Sequence, residues 1–548
     1  MNICLQNDWK DFGNTVDLFR HEILHGLGFG TLNVIEEHKK SLVKDETYIW
    51  NTRNGPRKAA RVYMDYSKAA VNELMTPFLS RFNYFSEISA AILESTFIGN
   101  VVMRALLPFL LSIFIWHSAV CLDESTDTED DQVIKAEIDI PKEDWIPVRQ
   151  RKLKEGDQML FLQVIWRHGD RAPTGTYPTD PHKEESWPNG WGELTQLGMR
   201  QQYALGRQLF NTYVNTSNPF LSRRYSSKEI YVRSTDVNRT LISAYANLAG
   251  MFAEGVNGTD YPDYFRWPHD WTPIPVHTVD VDQDYIGNVF APCPRADELF
   301  NQAISSPEYK KAEEDNKQFL AFLSEKTGTN ITLQTIFSLN DVHHIELIYN
   351  MSQPEWLTPQ VSTKIRELSQ FTNMYIYGIS KPYLPELIRL RGGSMLKAIV
   401  SKMRQKLSCH RKNDTGEDCS WMARLKYYAY SAHDTTVAAL LTTFGDERRV
   451  IRGGLPKYTA SVAVELWDLV DEGPSVRILF HSAFHHKYHV ITHLTKGCPE
   501  DKEFCPLRNF EMRSLKFMPV NIEKECRPQA AFGRKSDYKR NKLPYRDF

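Results

Sequence analysis

Arg167, His168 and Arg171 fall within five residues of one another, in the stretch FLQVIWRHGDRAP at 161–173. The residues before them are apolar except for Gln163, so a buried strand delivers its charged end with no spacer. Two other apolar runs end in the same way. EIYVRSTD carries Arg233, and YAYSAHD carries His433 and Asp434. Arginine forks bind phosphate oxygens through paired, charge-assisted hydrogen bonds. A neutral imidazole can attack phosphorus and hold it covalently. Guanidinium groups favour the charge that spreads over the phosphoryl oxygens in the transition state. A carboxylic acid can protonate the departing alkoxide. This inventory calls for no metal, because the arginines supply the positive charge.

These residues need elements to position them. Residues 158–166 read as a strand. WGELTQLGMRQQYALGRQLFNTYV reads as a helix with Leu194, Leu197, Gln201, Leu205 and Leu209 near the helical period and Thr195 as a cap. Ile230–Arg233 is a short strand followed by a turn and a helix. Long loops fill 255–300, and helical patterns dominate 305–375. RLKYYAYSAHDTTVAALLTTFG is again strand, turn and helix, the helix covering 435–444 and ending at Gly445. Residues 458–493 alternate around Asp471-Glu472-Gly473, a hairpin signal. This order predicts an α/β fold: a mixed sheet with helices on both faces, plus a smaller α-helical insert at about 255–375. Ligands of such sheets collect at the carboxyl ends of the strands, where all three polar clusters lie.

RHGDRAPT at 167–174 resembles the signature of the histidine acid phosphatases, the prostatic and lysosomal type within the phosphoglycerate-mutase-like superfamily. ELTQLGMRQQYALG, VRSTDVNRTLISA, RGGSMLKAIVSKM and YSAHDTTVAALL are similar to that family's further blocks, in the same order. The resemblance covers about 156–526. It implies an acid phosphatase that hydrolyses phosphate monoesters through a phosphohistidine, without a cofactor. His168 would be the nucleophile. Arg167, Arg171, Arg233 and His433 would bind the phosphate, and Asp434 would protonate the leaving group. The substrate would be a small phosphomonoester or a phosphoprotein. Family members are often homodimers, but no sequence feature marks a dimer surface. Alternatives are an inositol-phosphate (phytase-like) hydrolase and a phosphate-ester binder without turnover.

Each assignment has a plainer competitor. Arg233 could pair with Asp236, and Asp434 could simply cap the helix after it. Asp170 reads as a loop or salt-bridge residue, and Trp187 and Trp191 as core. FHSAFHHKYHVITH at 480–493 is rich in histidine but offers a metal no carboxylate or thiol. The arginines should keep His168 neutral well below its usual value near 6.5. Asp434 must be protonated to act as the acid, so the expected optimum is acidic.

Six cysteines follow residue 121, an even number that suits a lumenal or extracellular setting with up to three disulfides. Cys498–Cys505 and Cys409–Cys419 span short loops, which leaves Cys293 with Cys526. The first and last of these pairs match positions in the prostatic type, whereas Cys409–Cys419 rests on spacing. Another disulfide of that type lacks both of its cysteines here, in YTASVAVEL.

The chain has 548 residues and a formal net charge of −2, so nothing global points to nucleic acid or a membrane surface. MRALLPFLLSIFIWHSAVC at 103–121 is laid out like a secretory signal peptide, although it lies far from the start. A buried helix or a signal anchor are the competing readings. Sequons occur at Asn215, Asn238, Asn257, Asn330, Asn350 and Asn413, and none precedes residue 103. A secreted or lysosomal glycoprotein is therefore expected, with an acidic linker at 122–155, a basic tail at 527–548 and no C-terminal anchor.

The first 102 residues differ in character. RHEILHGLGF places His21, Glu22 and His25 in an HExxH pattern that could bind zinc on one helix face. It resembles the leishmanolysin-type metalloproteases, and the stretch around Met75 is similar to that family's methionine turn. A third histidine is missing, because no histidine lies between His38 and His117. A zinc metallopeptidase is thus the lesser alternative. Residues 1–102 read as an incomplete protease fragment joined upstream of a phosphatase, the product of a mis-joined gene model or else of a genuine fusion.

Overall fold

The central strand β1 (Gln158–Arg167) is apolar on both faces because both faces are covered in the computed structural model. The structure describes residues 150–528 apart from 269, 413–416, 447–449, 452–453 and 483–486, together with 51–52, 55–56 and 148. The chain divides into two compact units, Met1–Gln132 and Val133–Phe548. In the first, the described residues form a short antiparallel ladder, Asn51–Thr52 against Gly55–Pro56. His21, Glu22, His25, the segment 103–121, Asn413 and residues 483–486 of the histidine-rich stretch lie outside the described residues.

The second unit is built on a mixed sheet. Its further strands are β2 (Ile230–Ser234), β3 (Tyr427–Ala432), β4 (Ser461–Leu469), β5 (Gly473–His481), β6 (His489–Val490) and β7 (Cys505–Pro506). The order is β2–β3–β1–β4–β5–β6, with β7 also paired to β5. β3 runs parallel to both β1 and β2, while β4 runs antiparallel to β1 and forms the expected hairpin with β5. Gly473 takes a left-handed φ of 68° where that hairpin returns.

Strand alternation sorts the core into two layers. Leu162, Val164 and Trp166 pack with α1 (Gln196–Tyr213) and α2 (Asn238–Met251) through Leu205, Leu209, Ala244 and Leu248. Phe161 and Ile165 face the other way, toward a long helix at Pro385–Lys412 and one at Asp434–Phe444. Gln163, the polar break in β1, is fully buried and donates to the carbonyl of Ile399 on the long helix at 3.1 Å. Thr195 caps α1 by accepting from the Gly198 N–H.

Between α2 and the long helix come loops and then five helices, α3 (Pro294–Ile304), α4 (Pro307–Asp315), α5 (Lys317–Thr327), α6 (Ile336–Ile348) and α7 (Pro359–Ile376). Their apolar faces form a core of their own around Phe300, Tyr309, Leu323, Leu339 and Ile365. That core closes on Ala438 and Ala439 of the Asp434–Phe444 helix. The long helix is α8, followed by α9 (Glu417–Met422); the Asp434–Phe444 helix is α10, and α11 (Leu507–Ser514) and α12 (Ile522–Glu525) follow. α10 ends at Gly445, whose φ is 79°. The disulfides Cys293–Cys526, Cys409–Cys419 and Cys498–Cys505 all form. Among the described residues, no helix is long and apolar enough to cross a membrane.

Candidate active site

The sheet register brings the two histidines together. Arg167 pairs with Ala432 at the end of the parallel β1–β3 ladder, so His168 and His433 leave adjacent strands at one level. Their rings lie edge to face, 5.6 Å between centroids. Asp434 opens α10, and its carboxylate meets Arg167 Nη2 at 3.0 Å.

The backbone carrying His168 is held on every side. The His168 N–H donates to the Ala432 carbonyl at 3.0 Å, and the His168 carbonyl accepts from the Thr459 N–H at 3.3 Å. Gly169 N–H donates to Ser243 Oγ, Asp170 N–H to Gln201 Oε1, and Gln202 Nε2 to the Arg167 carbonyl. Two glycines permit this packing. A Cβ on Gly169 would stand 2.2 Å from the Gly198 carbonyl oxygen, and one on Gly198 would stand 2.1 Å from the Asp170 carbonyl oxygen. Thr459 adopts a left-handed φ of 64°, an unfavourable conformation for a β-branched residue and one that recurs at functional sites.

The His168 ring is fixed in one tautomer. Its Nδ1 lies 2.7 Å from the Gly169 carbonyl oxygen. A carbonyl can only accept, so Nδ1 carries the proton and Nε2 keeps its lone pair. Burial, and then the charges of Arg239 and Arg167, hold the His168 imidazole well below its usual value; His433 and Arg171 add to this. Burial, Arg239, Arg171 and Arg167 hold His433 low as well. His433 Nε2 lies 3.0 Å from Thr235 Oγ1.

The cations at the site are Arg167, Arg171 and Arg239. Each has a buried Nε with no acceptor, an arrangement that favours an anion. Arg167 lies with its guanidinium 4.1 Å from the Tyr458 ring centroid and donates to the Pro456 carbonyl at 2.8 Å. Burial pulls Arg171 down, but Asp341, Tyr458 and Asp434 together outweigh it and the net shift is upward. Burial and the neighbouring Arg171 push Arg239 down to about 10, so it stays charged at acid and neutral pH.

Arg233 requires a correction. It pairs with Tyr430, short of the strand ends. Its side chain shares the sheet face of Tyr231, Tyr428 and Tyr430 and forms an ion pair with buried Asp284. Its partner in this structure is thus Asp284 and not the Asp236 considered from the sequence. The third cation is instead Arg239, in the first turn of α2 on the opposite side of the sheet. Both arginines lie in VRSTDVNRT. A strand places residue 233 by its period of two, whereas a helix start aims residue 239 back over the strand ends, and that distinction was available in the pattern. Asp341 and Tyr458 gave no such signal.

Asp170 is fully buried and raised by burial, with Thr195 and Tyr349 hydroxyls donating to it. Trp187 is core, as expected, and packs with Ile345 and Ala172.

A buried imidazole with a free Nε2, ringed by guanidinium groups at the end of a mixed α/β sheet, defines a phosphoryl-transfer site of the histidine phosphatase class. Residues 158–481 match the family model for the histidine phosphatase superfamily, branch 2. The chain belongs to that family. It is 35% identical over 383 residues to the lysosomal acid phosphatase of Homo sapiens, covering 69% of this chain and 81% of that protein. It is 34% identical over 376 residues to the prostatic acid phosphatase of Homo sapiens, covering 67% and 88%. The solved phytase of Citrobacter braakii aligns at 16% identity with a TM-score of 0.48, over 67% of this chain and 99% of that one. The protein is an acid phosphatase that hydrolyses phosphate monoesters.

Proposed function

We propose that His168 Nε2 attacks the ester phosphorus, forming an N–P bond as the P–O bond to the alcohol breaks. Arg167, Arg171 and Arg239 hold the phosphoryl oxygens, and His433 sits beside them. Asp434, as a carboxylic acid, gives its proton to the departing alkoxide. Water then breaks the N–P bond and releases inorganic phosphate. The observation that carries this reading is the His168 Nδ1–H bond to Gly169, which leaves Nε2 as the free base among three guanidiniums. The reaction needs no metal ion, because those cations supply the charge stabilisation. The test is phosphate release from a monoester at about pH 5. Chelator should leave it intact, and His168→Ala should lower it at least about 10³-fold. Chelator-sensitive turnover, or an active His168→Ala enzyme, refutes the reading.

The same phosphatase is proposed to work in an oxidising, lumenal or secreted compartment. Its three disulfides support this, as do the exposed sequon residues Asn215, Asn238, Asn257, Asn330 and Asn350. Residues 1–102 are proposed to be a protease fragment foreign to the natural enzyme. Abundant peptides from 1–102 on the natural chain would refute that.

A further inference from the structure

Arg171 is already engaged by a carboxylate. Its Nη1 meets Asp341 Oδ2 at 3.0 Å and its Nη2 meets Asp341 Oδ1 at 3.1 Å, while Nη1 also donates to the Ala172 carbonyl at 3.1 Å. A guanidinium has two edges that can bind an anion in bidentate fashion: the end edge of Nη1 and Nη2, and the side edge of Nη2 and Nε. Asp341 occupies the end edge. The side edge keeps a buried Nε without an acceptor.

Asp341 does not come from the sheet. It sits in α6, whose Ile336, Leu339 and Val342 belong to the core of the helical region that closes on α10. Just beyond α6, the Tyr349 hydroxyl donates to Asp170. The insert thus grips the loop that follows His168 at two consecutive residues. Asp341 is about one quarter exposed at its side chain, whereas Arg171 is buried. Its charge is felt by Arg239 as well as by Arg171.

We propose that Asp341 is a positioning residue that presents the side edge of Arg171 to the phosphoryl group and limits how tightly the site holds inorganic phosphate. This rests on the phosphatase reading above. Three guanidiniums and one phosphate dianion attract strongly in a buried setting. Product release can then limit turnover. A fixed carboxylate on one of those guanidiniums lowers the attraction for substrate and product alike, and it holds the fork in one plane. Arg171 remains packed, and bonded to Ala172, without Asp341, so loss of the negative charge is the dominant consequence of neutralising it.

The experiment compares wild type with Asp341→Asn, which keeps the shape and an acceptor for Arg171 but removes the charge. The readouts are KM, kcat and the inhibition constant of inorganic phosphate at one ionic strength. The expected result is a phosphate inhibition constant lower by about tenfold, a lower KM and a reduced kcat. A purely structural role would raise the inhibition constant and KM through a disordered Arg171. Unchanged or weaker phosphate inhibition in Asp341→Asn overturns the proposal. Asp341→Ser, with less bulk and a hydroxyl acceptor, carries the same expectation if the asparagine variant does not fold. If wild type neither turns over a monoester nor is inhibited by phosphate, it is the phosphatase reading that fails.

Discussion

Arg233 and Arg239 belong to one short motif, and the turn between them gives them opposite surroundings. Arg233 is closed off. It points along a face of aromatic residues and is neutralised by Asp284, which also accepts from the Ile286 and Gly287 N–H groups. Arg239 is open in the chemical sense: buried, pushed down by two like charges, and holding an Nε with no acceptor. The first arrangement is what a structural ion pair needs. The second stores unfavourable electrostatics that an incoming anion relieves. The difference teaches that residue type and motif do not separate a clamp from a strut, whereas the element that carries the residue does.

The largest expected effect falls on the open side. Arg239→Ala should lower kcat/KM by about 10²–10³-fold, in the range of losing one transition-state donor, with little change in melting temperature. Steady-state kinetics beside a thermal melt would show this, and near-normal kcat/KM would break the comparison. The closed side should respond in the opposite sense. Arg233→Met leaves Asp284 buried and uncompensated, a loss of about 3–5 kcal/mol of stability, while the folded enzyme keeps its kcat. Adding Asp284→Asn should recover part of that stability, because the buried charge goes too. A kcat for Arg233→Met that falls as far as that of Arg239→Ala would return Arg233 to the site.

A smaller effect concerns the imidazoles that the open arginine depresses. His168 and His433 both have folded values well below the usual 6.5. The unfolded chain therefore binds their protons more readily, and the stability they contribute is present above about 6.5 and lost as pH falls toward the folded values. Phosphate-free protein should weaken by at most about 1.4 kcal/mol per pH unit for each imidazole in that window. Denaturant titrations between about pH 7 and 5 should show this slope, and His433→Ala should make it shallower. The same depression keeps the His168 imidazole neutral in acid, and an activity maximum above about pH 8 would contradict it.

Much of the fold was legible because its periodicity is local. The two faces of β1, the Thr195 cap, the Gly445 stop and the hairpin at Gly473 each follow from a few neighbouring residues. His168 and His433-Asp434 were legible because they end apolar runs, and parallel pairing then made them neighbours. Arg239 was within reach of the strand–turn–helix pattern around it. The rest depended on long-range placement: Asp341 needed the docking of a helical region whose pattern says nothing about its partner. The Asp284 pairing joins β2 to a loop with no regular pattern of its own.

The central claim is that His168 carries the phosphoryl group. Rapid quenching of wild-type enzyme into alkali during turnover of a monoester, followed by peptide mapping, tests it directly. The account predicts phosphate on Nε2 of His168, in a species stable to base and lost in acid. Phosphate on any other side chain, or no phosphoenzyme from an enzyme that is turning over and loses no activity as His168→Ala, would contradict it.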